Sequence, residues 1–479
     1  MQDQKKVYLK VTQWREKAKE QRLEKEKYKK RLKEVKLGRE KWKEKYKKEK
    51  EDFKILEKEY VALKRKAGLK DGERVKRHQY NVDQMQLCLQ LRVGAKISLR
   101  SCVRILKVWS MILGIELFSP SINTIRNWES KLGYYQLKNG KPSTGEWVLI
   151  IDESVMVGQQ KVLLILGVNL DLYTFGKALD FSDIEVLSLR VGTSCKSEDI
   201  SKCIQQIQER EYRIKYAVTD NGLNIVKALR MSEIHRIEDS THAIGLLIEK
   251  RYKEQVTFQQ FMKRSALFKR QISMSKYAAM MPPVQRSKAR FLNLSKVSEW
   301  ANKILKLARS YENQAIHQEA FEKIKWILEY ELMIEDILTH HRLMNQILKV
   351  LKVEGLGSES IEKCQEVLLK SLVAEEFKEA IKSYLIRNSE GLEEGEKCIC
   401  SSDIIESMFG SFKNKMSSNK NTGFTQSALT IANISKNLEK DRIKQSMEAV
   451  KISDIEQWAK ENLKPSLLKQ KKELFKYVG

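Results

Sequence analysis

Two short runs decide the fold: Trp147-Val148-Leu149-Ile150-Ile151-Asp152 and Lys215-Tyr216-Ala217-Val218-Thr219-Asp220. Each is a near-continuous apolar run that ends on an aspartate, as a strand covered on both faces would. Outward from them, the turn at Val157-Gly158 leads to a second strand over 161–168, and a third spans 184–191. A helix over 197–210 carries Ile200, Cys203, Ile204 and Ile207 on one side. After the fourth strand at 215–218 come a helix over 221–230, a short strand at 236–238 and a helix over 241–252. The order is β-β-β-α-β-α-β-α, with acids at the ends of the first and fourth strands.

That order resembles the RNase H-like core, in which the first and fourth strands are neighbours. The resemblance implies that Asp152 and Asp220 meet, and that a third acid comes from a later helix. The segment Cys400-Ser401-Ser402-Asp403-Ile404-Ile405-Glu406-Ser407-Met408-Phe409-Gly410-Ser411-Phe412-Lys413 supplies a candidate. Ile405, Met408 and Phe412 are expected to face inward. Glu406 and Lys413, seven residues apart, share a face. The same E-x6-K spacing follows the last acid in many DDE transposases. The Y-x2-R-x3-E-x6-K signature of one bacterial group is absent, because Ile399 and Ser402 stand at the Tyr and Arg positions. Asp403 is the substitute for Glu406.

A second motif, Asp239-Ser240-Thr241-His242, resembles the (C/D)-x-x-H that follows the second catalytic acid in hAT-type transposases. In that family a large helical insertion precedes the final Glu. Here 186 residues separate Asp220 from Glu406, against 68 between Asp152 and Asp220. The insertion is expected over 254–390, with long amphipathic runs at 297–310 and 315–351. The resemblance spans about 147–440. No zinc-finger N-terminus of the kind eukaryotic members often carry is seen; the coiled coil and helix-turn-helix suggest a bacterial insertion-sequence type instead.

What the resemblance implies is a DNA transposase that cleaves element ends and joins them to target DNA. Asp152, Asp220 and Glu406 would hold two Mg2+ ions (Mn2+ as substitute) about 4 Å apart. Asp152 would bridge both, Asp220 bind one and Glu406 the other. Water makes the first attack and the freed 3′-hydroxyl the second. His242 would position the scissile phosphate or a base, with Asp239 orienting it. Other readings stay open: the aspartates as strand-end caps, Glu406 as a surface residue, His242 as a satisfied core histidine, and the chain as a catalytically silent, transposase-derived DNA-binding protein or a basic coiled-coil structural protein. Glu153 is expected to point away from the site, and His340-His341 to be structural.

The 479 residues carry 90 Lys+Arg against 63 Asp+Glu, a net charge of +27. That surplus draws polyanions, double-stranded DNA first and an anionic membrane second. Five prolines and 21 glycines favour helix over long linkers. No apolar run of about 18 residues is present for a membrane span. The N-terminus lacks the apolar core of a secretion signal. Seven scattered cysteines suit a reducing compartment. The expected location is a bacterial cytoplasm, at the nucleoid, or a nucleus if the host is eukaryotic. Cys398 and Cys400 form one C-x-C with no second pair, which favours a structural role over zinc.

Residues 1–66 hold +13 of the net charge and carry a seam at Tyr28, Leu32, Val35, Trp42, Tyr46, Phe53, Leu56, Tyr60 and Leu63, interrupted only by Arg39 and Glu49. Steps of four and three along it predict a coiled coil that self-associates as a homodimer or higher oligomer; a solvated single helix is the alternative. Helices over 82–92, ended by Gly94, and over 98–113, with Cys102, Ile105, Leu106, Trp109 and Ile112 on one face, lead to a third. Ser119 is expected to cap it with Pro120 as its first residue. Ile122, Ile125 and Trp128 would face inward and Asn123, Thr124, Arg126 and Asn127 outward, as in a helix-turn-helix that contacts DNA.

The fold class expected is thus α+β with large all-α parts: a coiled coil and helix-turn-helix before an RNase H-like mixed sheet interrupted by a helical insertion. Its parts are the coiled coil (1–66), helix-turn-helix (67–140), first part of the core (141–253), insertion (254–390), last part of the core with the Glu406 helix (391–445) and a basic helical tail (446–479). Lys413 and Lys415 are further candidates for DNA phosphate. So are Lys263-Arg264, Lys269-Arg270 and 286–290 in the insertion, where Trp300 and Trp326 are either core residues or stacking platforms for a flipped base.

Overall fold

The computed structural model describes residues 2–66, 73–113, 118–140, 142, 144–157, 160–192, 194–284, 294–312, 314–415, 424–434, 438–465 and 467–477. The chain forms two compact units, Met1–Glu73 and Arg74–Gly479. Among its described residues the first holds one helix, α1 (Gln2–Lys66). It contains no proline and one glycine, Gly38, so nothing breaks it. Its seam lies open as a surface stripe: Leu32 is 58% and Trp42 72% exposed. The side chains of Tyr60 and Leu63 lie outside the described residues.

The second unit begins with α2 (Val82–Leu89), opened by an Asn81/Gln84 capping box and closed by a π-turn at Gln90–Gly94. Two helices follow, α3 (Leu99–Leu113) and α4 (Ile122–Lys138). Val82, Met85, Leu89, Cys102, Leu106, Ile125 and Trp128 form their common core. Two expectations are corrected here. The cap of α4 is Ser121, not Ser119. Its hydroxyl accepts the Thr124 N–H at 3.0 Å, and Pro120 is buried ahead of the helix rather than inside it. Trp109 and Ile112 do not join the buried face of α3; they are 41% and 71% exposed, because only the first turns of that helix, through Cys102 and Leu106, reach the core.

The sheet then forms from β1 (Glu146–Val157), β2 (Gln160–Asn169) and β3 (Ile184–Gly192), α5 (Ser197–Gln208), β4 (Arg213–Thr219), α6 (Leu223–Met231), β5 (Arg236–Glu238) and α7 (Ser240–Tyr252). The strand order is β3-β2-β1-β4-β5. β1 runs antiparallel to β2 and parallel to β4, and β4 is parallel to β5. Alternation splits the strands between two cores. Trp147, Leu149, Ile151 and Ala217 pack on one face with Ile204 of α5 and Leu229 of α6. Val148, Ile150, Tyr216 and Val218 face the larger core, shared with α7 and the helices that follow.

Those helices are α8 (Val256–Ile272), α9 (Leu294–Tyr311), α10 (Gln318–Ile324), α11 (Glu331–Glu354), α12 (Ser358–Lys370) and α13 (Glu375–Ser389). The run expected as helix over 315–351 is broken by 3-10 turns at Ala315–His317 and Lys325–Tyr330. The second turn swings Trp326 into a cluster with Phe261 and Phe268. Trp300 packs on Phe268 and donates to the Met280 carbonyl, so both tryptophans are committed to packing. Gly355 ends α11 at φ +76°, a conformation suited to glycine, and a Cβ there would strike Phe175. Paired backbone hydrogen bonds between Leu356 and Cys398 close the neck of the insertion.

The chain finishes with α14 (Asp403–Lys415), a 3-10 segment (Gln426–Asn433), α15 (Lys440–Ala449), α16 (Ile452–Asn462) and α17 (Leu467–Leu474). Ile443 and Met447 of α15 enter the core shared by α2, α3 and α4. A Cβ on Gly133 of α4 would collide with the Leu429 carbonyl, so this crossing of α4 and the 3-10 segment requires glycine. No helix among the described residues is long and apolar enough to cross a membrane.

Candidate active site

Asp152 is the next residue after the last β1–β4 pair, Ile151↔Thr219, and Asp220 is its counterpart after β4. Strand alternation puts Asp152 on the face of Val148 and Ile150, and Asp220 on that of Tyr216 and Val218. Both carboxylates therefore open toward the same side, just past the point where the parallel pairing of β1 and β4 ends. β1 does not stop at Asp152, as a strand-end aspartate implies. It runs on to Val157, held by β2, while β4 ends at Thr219. The step leaves Asp152 half-buried where pairing with β4 has stopped and pairing with β2 continues. Glu153 points to the opposite face, bridging Lys161 Nζ at 2.9 Å and the Cys195 N–H at 3.2 Å, in accord with its expected structural role.

Burial, then the negative charge of Asp220, push the Asp152 carboxyl up to about 6. The Glu153 N–H, donating to Asp152 Oδ1 at 2.6 Å, and His242 oppose that rise, and Glu406 adds to it. Asp152 thus feels the charges of Asp220, His242 and Glu406. Asp220 Oδ1 accepts the Gly222 N–H at 2.9 Å at the start of α6.

The motif Asp239-x-x-His242 is a helix cap. Asp239 follows β5 and is the N-cap of α7, where Oδ2 accepts the His242 N–H at 3.1 Å and also bonds the His242 ring at Nδ1. The three-residue spacing lets one carboxylate bind both the amide and the ring of the same residue. Asp239 is fully buried. Its own N–H donates to the Thr219 carbonyl at 2.9 Å, and its Oδ1 accepts the Ser402 N–H at 2.9 Å. Burial alone would raise the Asp239 carboxyl; the His242 and Ser402 donors hold it below the usual range. The hydrogen bond to Asp239 lifts His242 to about 9, against its partial burial.

The far ring nitrogen of His242 lies 3.5 Å from Glu406 Oε1. Glu406 sits on the open face of α14, whose Ile405, Met408 and Phe412 are buried as expected. Partial burial raises its carboxyl and His242 lowers it, with the first effect dominant. Lys413, two turns on, reaches Ser154 Oγ of β1 at 3.0 Å. Asp403, the substitute acid, is instead ion-paired with Lys352 of α11. The side chain of Lys415 lies outside the described residues. So do residues 286–290, whereas Lys263, Arg264 and Arg270 are exposed on α8.

Among the described residues, no group of three or more His, Cys, Asp or Glu side chains could hold a metal ion as placed. The donor set is nonetheless of the kind a hard cation takes: carboxylate oxygens, with Asp152 raised first by burial and then by the charge of Asp220. The Glu406–His242 contact was not foreseen from the residues. Its only trace in the sequence was the co-occurrence of the D-x-x-H motif and a later acid. Cys398 and Cys400 are free, buried thiols within the core. His340 and His341 are buried in α11, His340 beside Tyr252 at 3.0 Å, as a structural pair would be.

On α4, Asn123 and Arg126 are exposed and hydrogen-bonded to each other at 2.7 Å. Thr124 is half-buried beside Ser121, and Asn127 is half-buried.

No protein-family model matches the chain, and no curated protein does. Among solved structures, it is similar to the Drosophila P element transposase strand transfer complex at 13% identity and a TM-score of 0.40, over 81% of this chain and 99% of that one.

Proposed function

We propose that the chain is a DNA transposase of the DDE type, cleaving DNA at element ends and joining it to target DNA. The observation that carries this reading is the pair Asp152 and Asp220, side by side beyond the parallel pairing of β1 and β4, on the sheet face where α7 and α14 bring His242 and Glu406. Asp152, Asp220 and Glu406 would hold divalent cations, Mg2+ or Mn2+. Such cations, when bound, polarise the scissile phosphate and activate the attacking oxygen.

This chain's own residues set the rest. His242, held cationic by Asp239, keeps Glu406 near the aspartates and offers its ring N–H to a phosphate oxygen once Glu406 turns away. Lys413 stands next to Ser154 on the same side, where a phosphate flanking the scissile bond would lie. The basic surface, including Arg126 and Asn123 of α4 with Thr124 and Asn127 beside them, would bind the duplex largely through its phosphates. Dimers or larger assemblies would form through α1. A second reading, a catalytically silent DNA-binding protein, is favoured by one observation: Glu406 contacts His242 rather than completing a three-carboxylate group.

Plasmid nicking and gel shifts in parallel separate the two. Wild type should bind DNA and nick it only with Mg2+ or Mn2+. Asp220→Asn should keep the shift and lose the nicking. Equal nicking by that variant refutes the catalytic assignment, and no nicking by wild type under any divalent cation supports the silent reading.

A further inference from the structure

The stripe on α1 contains its own instruction for how two copies meet. The seam alternates between two heptad positions. Leu32, Arg39, Tyr46 and Phe53 occupy one, and Tyr28, Val35, Trp42, Glu49 and Leu56 the other. These side chains are all exposed on the helix. The only polar members have opposite charge, and they sit at different heptad positions: Arg39 at the first and Glu49 at the second.

In a parallel, in-register pair each seam residue faces its own copy. Arg39 would meet Arg39 and Glu49 would meet Glu49, two buried like-charge layers, and Arg31 and Lys45 would flank Lys36 and Lys50 of the other strand. An antiparallel pair instead matches residues of the first position with residues of the second. When Arg39 is set against Glu49 of the other copy, the helices become centred on residue 44. Leu32 then falls opposite Leu56, Phe53 opposite Val35, and Tyr46 opposite Trp42. Every apolar position meets an apolar partner and both charged layers are neutralised; at the solvated rim Arg31 comes alongside Glu59, while Lys45 meets Lys45 and Lys36 meets Lys50, so the buried layers and not the rim favour this orientation. Sliding one helix by a heptad in either direction sets Arg39 against Leu56 or Trp42 and leaves all four charges without a partner across the pair, Glu49 keeping only Lys45 of its own helix at 4.0 Å.

We propose that α1 is an antiparallel homodimerisation helix, with a second copy of this chain as its partner and the Arg39–Glu49 layers fixing orientation and register. Its apolar layers between 28 and 60 span about 50 Å at 1.5 Å per residue. The two α1 ends at Lys66 then leave the pair about 66 Å apart along its axis, where a parallel pair would bring them side by side. The inference stands on α1 alone and is independent of whether the second unit cuts DNA.

Disulfide trapping on the full chain tests the geometry, since the seven native cysteines are buried in the second unit and should not compete. Leu32→Cys mixed with Leu56→Cys should give a cross-linked dimer on mild oxidation, because Cα atoms must approach within about 7 Å for a bridge. Leu32→Cys alone should not cross-link. Charge exchange tests the register: Arg39→Glu and Glu49→Arg should each weaken the dimer at least about tenfold by sedimentation. The double exchange should restore it. Cross-linking of Leu32→Cys with itself, single exchanges that leave dimerisation untouched, or a wild-type chain monomeric at micromolar concentration would each overturn the proposal. A trapped dimer that fails to nick DNA leaves it intact and counts only against the transposase reading.

Discussion

Replacing Asp152 by Asn should stabilise the protein at neutral pH, and the gain should vanish in acid. The Asp152 carboxyl is held at about 6 against an ordinary 3.8, chiefly by burial and then by Asp220. A folded value above the unfolded one means that the stability tied to this group is complete below about pH 4 and is lost as pH rises through 6. At 1.36 kcal/mol for each tenfold change, the ionised group costs about 3 kcal/mol at pH 7.5. Asn keeps the acceptor for the Glu153 N–H but carries no charge, so it removes that cost. For a folded unit of some 400 residues, 1 kcal/mol moves Tm by roughly 1 °C. Asp152→Asn should therefore raise Tm by about 3 °C at pH 7.5 and change it little at pH 4. Mg2+ at a hundredfold excess over its Kd should stabilise wild type by about 2.7 kcal/mol, and neither Asp152→Asn nor Asp220→Asn should respond. A lower Tm for Asp152→Asn at pH 7.5, or a shift that is the same at both pH values, would refute the reasoning and make Asp152 a structural cap.

Three further outcomes are expected. His242, raised to about 9 by Asp239, contributes stability that is complete below its ordinary 6.5 and fades as pH climbs through 9; urea melts of His242→Gln should lose that alkaline slope while wild type keeps it. Gly133→Ala should cost about 2–3 kcal/mol, because the added methyl meets the Leu429 backbone at a packed crossing, and thermal melts followed by circular dichroism will register it. Lys413→Ala should reduce the slope of log affinity for DNA against log salt by about 0.9, if its ammonium grips one phosphate; an unchanged slope removes Lys413 from the DNA surface.

The strand runs were legible because a strand covered on both faces must be apolar at successive positions. All five strands appear within about three residues of their expected limits, except at the end of β1. That overrun was hidden because the pairing of 152–157 with β2 leaves a mixed, less apolar sequence that does not read as strand. The neighbouring of Asp152 and Asp220 followed from the resemblance of the strand order to the RNase H-like core. The meeting of His242 and Glu406 did not, since it depends on how the chain returns after the insertion. Ser119-Pro120 misled because proline is a common first helical residue, yet the Ser121 hydroxyl competes for the same role and wins it with the Thr124 amide. The break at Lys325–Tyr330 was invisible because a 3-10 turn buries Trp326 and Ile327 at a spacing that helical periodicity also permits.

Three stretches of chain converge on Asp239: the end of β4 through the Thr219 carbonyl, its own helix α7 through His242, and, 163 residues on, the returning chain through the Ser402 N–H. The carboxylate that writes the position of His242 also sets where the final acid begins its helix. A change at Asp239 would therefore disturb both His242 and the start of α14 with Asp152, Asp220 and Glu406 all intact, whereas most changes of the Ser402 side chain keep the backbone N–H that Asp239 accepts. If the three acids hold cations as proposed, their presence alone does not certify an intact site; the buried fourth carboxylate belongs in the count.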